Sequence, residues 1–128
     1  MKFRQPQKPA PSPQLNRQEA LRCIPVINSS VHAALLESGE ILLEFPLQMK
    51  PLFHSIFRRF RNSSEIPTKK LQLDEMGSFV WQEINGENNV QAIVTIFSRH
   101  YGITRQEAEK SVTAFLANLG RRDIIALR

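Results

Sequence analysis

Apolar positions along this chain follow two periods, and the switch between them marks out the elements. From residue 31 to 45 the period is two. Val31, Ala33 and Leu35 share one side of a first strand, and Ile41, Leu43 and Phe45 share one side of a second. Ser38-Gly39 lies between them, and glycine accepts the positive φ that a two-residue turn needs, so the segment predicts a β-hairpin. Pro46 stops the second strand. In "KPLFHSIFRRFRN", residues 50–62, the period becomes helical. Leu52, Phe53, Ile56, Phe57 and Phe60 fall at i, i+1, i+4, i+5 and i+8 and share one face. Pro51 suits a first helical turn, and Arg58, Arg59 and Arg61 suit the C-terminal end of the helix dipole. The spacing predicts an amphipathic helix of about three turns, too short to cross a bilayer. "KKLQLD" then predicts a short third strand with Leu71 and Leu73 on one face.

Three helices follow. Asp74 is a good N-cap, and "EMGSFVWQEI" puts Met76, Phe79, Val80 and Ile84 on one side, closed by Asn85-Gly86. Asn89 caps a second helix in which Val90, Ile93, Val94, Phe97 and Tyr101 hold the helical spacing until Gly102. Thr104 and Glu107 make a capping box for a third, whose stripe is Ala108, Val112, Phe115, Leu116 and Leu119. "RDIIAL" is a terminal strand or extended wing. The fold class is therefore α+β: a three-stranded antiparallel sheet followed by three helices, arranged as a winged helix-turn-helix, with an extra amphipathic helix inserted between strands two and three. Residues 25–128 form this domain, residues 46–68 are the insert, and residues 1–24 are a disordered basic arm. Pro6, Pro9, Pro11 and Pro13 give the arm its extended character. "QEALRC" is a short helical turn at its end, terminated by Pro25.

Composition narrows the function. The 128 residues suffice for one domain, and 41% hydrophobic content can build its core. A net charge of +5 favours an acidic partner without choosing among nucleic acid, lipid and acidic peptide. A single cysteine, Cys23, cannot form an internal disulfide or a Cys-rich zinc site, which fits a cytoplasmic location. No apolar run approaches the roughly 20 residues of a transmembrane helix, and the N-terminus has no signal-peptide core.

No catalytic constellation is visible, so the chain is read as a non-enzyme with no cofactor and no metal site. His32, His54 and His100 lie in separate elements and none has the i, i+4 spacing of paired helical ligands. Capping and dipole preference account for the adjacent carboxylates Asp74 and Glu75. A helix-turn-helix with a following strand suggests DNA, but Glu107 and Glu109 stand beside Arg105 and Lys110 on the would-be recognition helix. Carboxylates oppose the phosphate field on which DNA affinity rests.

Residues 69 to 127, from "LQLDEMGSFVWQEING" to "GRRDII", resemble the PqqD family, named for a pyrroloquinoline quinone biosynthesis protein. Leu73, Asp74, Gly77, Trp81 and Gly86 match the family pattern in order, and the hairpin at 31–45 extends the match. The resemblance implies a small winged helix-turn-helix that binds peptides. Such a protein holds the leader part of a precursor peptide by adding it as a strand to the sheet. It presents the peptide to a modifying enzyme, often a radical S-adenosylmethionine enzyme. Carried over to this chain, Lys70, Leu71, Gln72 and Leu73 offer the edge. Val112 and Phe115 line an apolar floor, while Ala108 and Ser111 leave room for a side chain. For Val112 and Phe115 core packing is the stronger reading than direct contact, given their place in the stripe. The chain departs from the smallest family members by its arm and by the insert that borders the docking strand. The face of Leu52, Phe53, Ile56, Phe57 and Phe60 requires an apolar cover, from the domain, from a second copy in a homodimer, or from a partner or membrane surface. A DNA-binding regulator and a protein–protein adaptor without a leader peptide are the alternative functions.

Overall fold

The computed structural model describes residues 16–47 and 67–128. Residues 1–15 and the stretch 51–61 expected to form the amphipathic helix lie outside the described residues, and with them Leu52, Phe53, Ile56, Phe57 and Phe60. In chain order the elements are α1 (Arg17–Arg22), β1 (Pro25–Ile27), β2 (His32–Leu35), β3 (Ile41–Pro46), β4 (Thr68–Gln72), α2 (Glu75–Gln82), α3 (Val90–Tyr101), α4 (Arg105–Arg121) and β5 (Ile125–Leu127). Among the described residues they make an antiparallel sheet in the order β2-β3-β4 and a two-stranded sheet, β1-β5. The architecture is mixed α+β, with three helices after the three-stranded sheet.

β3 is the central strand, and its alternation is the one read from the sequence. Ile41, Leu43 and Phe45 are buried while Leu42 and Glu44 are not. The hairpin turn is one residue longer than predicted. Leu36 N–H donates to Glu40 O at 2.8 Å and Gly39 N–H to Leu36 O at 3.0 Å, with Gly39 at φ +89°. The turn over Glu37-Ser38 is followed by a left-handed glycine, a common three-residue hairpin. At the other side of β3, Leu73 N–H donates to Ile41 O at 2.8 Å. The return bond is replaced by a side chain. Ile41 N–H donates to Ser78 Oγ at 3.0 Å, and Ser78 Oγ donates to Leu73 O at 3.3 Å. This buried serine ties α2 to the last rung of the β3–β4 ladder and leaves none of the three groups unpaired.

The helix termini are set by local chemistry. Asp74, Asn89 and Thr104 accept N-cap bonds from Gly77, Ala92 and Glu107, and Gly102 ends α3 in the left-handed conformation. The core lies between the sheet and these helices. Leu43, Ile93, Phe97, Val112 and Leu119 are at most 1% exposed, and each such side chain contributes roughly 1.5–3 kcal/mol on burial.

Two expectations need correction. Met76 is 45% exposed and Trp81 is buried in its place, because the core face of α2 runs through Ser78, Val80, Trp81 and Ile84; the larger indole takes the inward position. The arm does not extend to residue 24. Asn16 accepts from Glu19 N–H and starts α1 at Arg17, and an Arg17–Glu109 ion pair at 2.9 Å fastens that helix to α4. The terminal strand expected in "RDIIAL" is β5, and it pairs with β1, a strand absent from the pattern reading. Proline is tolerated as the first residue of such a strand. Reciprocal 2.9 Å bonds between Ile24 and Arg128 extend the pair by one rung.

Candidate functional site

β4 forms one edge of the three-stranded sheet. Its bonds to β3 alternate. Leu73 N–H reaches Ile41 O and, at the far end, Leu47 N–H reaches Pro67 O, both at 2.8 Å. In the register between these rungs, Lys69 faces Phe45 and Leu71 faces Leu43. Bonded pairs recur every second residue in an antiparallel ladder, so Lys69, Leu71 and Leu73 spend their backbone groups on β3. The N–H and C=O of Thr68, Lys70 and Gln72 therefore point off the sheet. Among the described residues no strand pairs with them. On the outer face of the sheet Thr68 Oγ1 donates to Glu44 Oε1 at 3.0 Å, and Gln72 Nε2 to Glu40 Oε1 at 2.9 Å. These bonds hold β4 straight without using its free backbone groups.

α4 borders this edge at two places. Phe115 is half-buried and packs at the start of α2. A Cβ placed on Gly77 would lie 2.9 Å from Phe115 Cε1 and 3.1 Å from Asp74 Oδ1. Toward the other end, a cavity of about 230 Å³ is lined by Phe45, Leu47, Lys69, Arg121 and Arg122. That cavity is a cleft between the start of β4 and the end of α4, cationic at Lys69, Arg121 and Arg122, while Phe115 stands near Asp74, just past the other end of β4. Arg122 is oriented by its Nε donating to Asn118 Oδ1 at 3.0 Å. Among the described residues no carboxylate lines the cationic end.

The residues expected at the site divide into groups. Lys70 and Gln72 are exposed on the edge, Leu71 is half-buried, and Leu73 is buried beneath it at 4% exposure. Ser111 is exposed and Phe115 half-buried on α4. Ala108 and Val112 are each 0% exposed, so they pack the core under α4 and do not line the cleft. Leu47, Lys69, Arg121 and Arg122 were not singled out in the sequence, and Phe45 was read there only as a strand residue. Their one signal was the basic pair "RR" after the third helix, which dipole preference alone already explains.

A second cavity, of about 420 Å³, opens on the other side of α2 between Glu40, Glu75, Phe79, His100 and Tyr101. Phe79 stacks on His100 with centroids 4.2 Å apart. The Tyr101 hydroxyl is enclosed without a hydrogen-bond partner among the described residues, and burial, with Glu75 and Asp74 nearby, pushes its pKa up. No group of three or more His, Cys, Asp or Glu among the described residues could hold a metal ion, and no helix among them is long and apolar enough to cross a membrane.

Comparison with known proteins bears on the cleft. The family model of coenzyme PQQ synthesis protein D (PqqD) matches residues 66–125. A solved structure described as TbiB1 in complex with the TbiA(beta) leader peptide is similar, with a TM-score of 0.56 and 19% sequence identity. The match covers 78% of this chain and 93% of that chain, and at this identity the likeness is one of fold. No curated protein matches the sequence. The matched family segment contains β4, α2, α3 and α4, and thus both walls of the cleft. The likeness to the PqqD family rests on residues 66–125, a little under half of the chain.

Proposed function

We propose that this protein binds the leader segment of a precursor peptide by strand addition to β4 and presents it to a peptide-modifying enzyme. A radical S-adenosylmethionine enzyme is the class that the family resemblance implies. The observation that carries the reading is the alternation on β4, which leaves the backbone groups of Thr68, Lys70 and Gln72 without a strand partner among the described residues. An open edge is a template for one more strand, with main-chain bonds supplying affinity and side-chain pockets supplying specificity. That the similar TbiB1 structure holds a leader peptide supports the same use here. In this reading the α3–turn–α4 pair with β5 is a winged helix-turn-helix turned to peptide, not DNA. Arg105 at the start of α4 is engaged with Thr95 Oγ1 at 3.2 Å, and Glu107 beside it is exposed. Of the expected peptide-binding residues, Lys70, Gln72, Ser111 and Phe115 are retained, and Leu71 and Leu73 hold the edge strand down. The chain acts by binding, with chemistry left to its partner.

The test is amide hydrogen exchange with a synthetic leader peptide from any short precursor gene found beside this one. Lys69, Leu71 and Leu73 exchange slowly in the free protein because their N–H groups are in the ladder. Peptide should add protection at Lys70 and Gln72. Binding without new protection at either would discard strand addition at this edge.

The cationic end adds a preference for an acidic residue at the corresponding end of the leader. Lys69→Glu is expected to weaken binding of an acidic leader by roughly fivefold, since exposed pairs contribute up to about 1 kcal/mol and reversal adds repulsion. Arg121→Glu should act in the same direction, and both effects should shrink as salt screens them. Isothermal titration at two ionic strengths measures this. Equal affinities for parent and variants at low salt would place the peptide away from this end of the cleft.

A further inference from the structure

The sheet has a second edge, β2, and it is built differently. Leu36 N–H donates to Glu40 O, and in the β2–β3 register Ala34 faces Leu42 and His32 faces Glu44. Those are the bonded rungs, so the N–H and C=O of Ala33 and Leu35 point off the sheet. Among the described residues nothing pairs with them. All four residues of β2 are exposed, and Leu35 is 70% exposed, the most exposed large hydrophobic among the described residues. Natural edges are blunted by charge, proline or bulges, yet His32–Leu35 carries no carboxylate, lysine, arginine or proline. β4, by contrast, carries Lys69 and Lys70. Beneath β2 an apolar groove of about 380 Å³ is lined by Ile27, Ala33, Leu35, Ile41, Trp81 and Ile84. The groove exists because Ala33, on the core-side face of β2, is too small to fill it.

We propose that two copies of this chain join through β2 in an antiparallel, two-fold pair centred on Ala34. The strand is complementary to itself. With Ala34 opposite the partner's Ala34, the outward groups of Ala33 meet those of the partner's Leu35, and the reverse. Four backbone hydrogen bonds result, using the groups that β3 leaves free. Opposed residues in such a pair share a face. Leu35 of each copy therefore stands over the partner's Ala33, at the mouth of the groove that Ala33 leaves open. A large residue and a small one two positions apart, inverted by the two-fold axis, supply knob and hole to both sides, as an isologous interface requires. An unrelated strand would need its own residue to match. The dimer is a continuous sheet, β4-β3-β2-β2-β3-β4, and both β4 edges stay free at its ends. It does not depend on what β4 binds.

Sedimentation of the full chain from micromolar to submillimolar concentration should show the mass rising from 14.7 kDa toward twice that value. Leu35→Glu should weaken the association at least roughly tenfold by placing two charges over apolar grooves. Ala33→Pro should do the same by deleting one outward donor from each copy, and its melting should stay cooperative because that donor is not in the β2–β3 ladder. The register has its own test. Ala34→Cys, in a Cys23→Ser background, puts two thiols on a facing pair with Cα atoms about 4.5 Å apart, within reach of a disulfide. Mild oxidation should give a covalent dimer. A monomeric parent over the whole range would overturn the proposal. So would a dimer that survives both Leu35→Glu and Ala33→Pro and gives no cross-link at Ala34→Cys.

Discussion

Gln72→Pro is expected to cost leader-peptide binding about 1.5–3 kcal/mol, roughly tenfold to a hundredfold in Kd, while the protein stays folded. Leu71→Pro, one residue earlier, is expected to unfold it. The two substitutions remove the same chemical group from the same strand, and only the direction of that group differs. Leu71 lies opposite Leu43 on a bonded rung, and Leu43 is 0% exposed. Proline there strands a buried carbonyl, takes away a half-buried leucine and wedges a ring into the ladder. The sum, several kcal/mol, is a large part of the roughly 5–15 kcal/mol that holds a domain together. Gln72 points its N–H away from β3, and the residue before it is already extended, as a proline requires. The side-chain bond that Gln72→Pro removes is the exposed one to Glu40, worth well under about 1 kcal/mol. Urea unfolding and anisotropy titration with labelled leader separate the two effects. A Gln72→Pro variant that binds as tightly as the parent would move the docking strand elsewhere.

The alternation behind that contrast was only half legible in the sequence. Leu71 and Leu73 could be put on one face by their spacing, but which backbone groups face outward depends on the β3 register, and that is fixed across a long insert. The caps were legible because they are local. Asp74, Asn89 and Thr104 each bond an N–H three residues on, and Gly102 takes the left-handed position within one turn of the helix it ends. Nothing in three residues such as Pro25–Ile27 marks them as the partner of a strand about a hundred positions later, so the β1–β5 sheet escaped the pattern. The cationic end of the cleft escaped for the same reason. Lys69 stands at the start of a strand and Arg121 and Arg122 at the end of a helix, and each has an adequate local explanation. The helical stripe of α4 is apolar as its spacing predicts, but a stripe does not say which members are enclosed. Val112 and Ala108 are enclosed, and Phe115, one turn on, reaches the surface.

Gly77 shows what a family-pattern glycine does here, and its replacement should couple the core to the proposed docking edge. Its backbone is ordinary helix, so any residue could adopt the angles. The obstacle is space, with the Phe115 ring tip 2.9 Å and the Asp74 cap oxygen 3.1 Å from where a Cβ would sit. The cap oxygen is fixed by a 2.7 Å bond from Gly77 N–H, so the ring must yield. Gly77→Val is expected to lose about 1–3 kcal/mol of stability, because overpacking outweighs the helix propensity gained by leaving glycine. In a Phe115→Ala background the same change should cost far less, with a coupling of about 1–2 kcal/mol in the double-mutant cycle. Gly77→Ala is the gentler probe. It adds one methyl, recovers up to about 1 kcal/mol of helix propensity, and pushes the half-buried ring outward. Its stability should stay near the parent value while its affinity for the leader peptide changes, since the displaced ring stands near Asp74, next to the end of the proposed docking strand. Urea unfolding of the four cycle members, with leader titration of Gly77→Ala, measures both. Additive stabilities would show that Phe115 is not what confines position 77. Unchanged leader affinity in Gly77→Ala would take Phe115 out of the binding site.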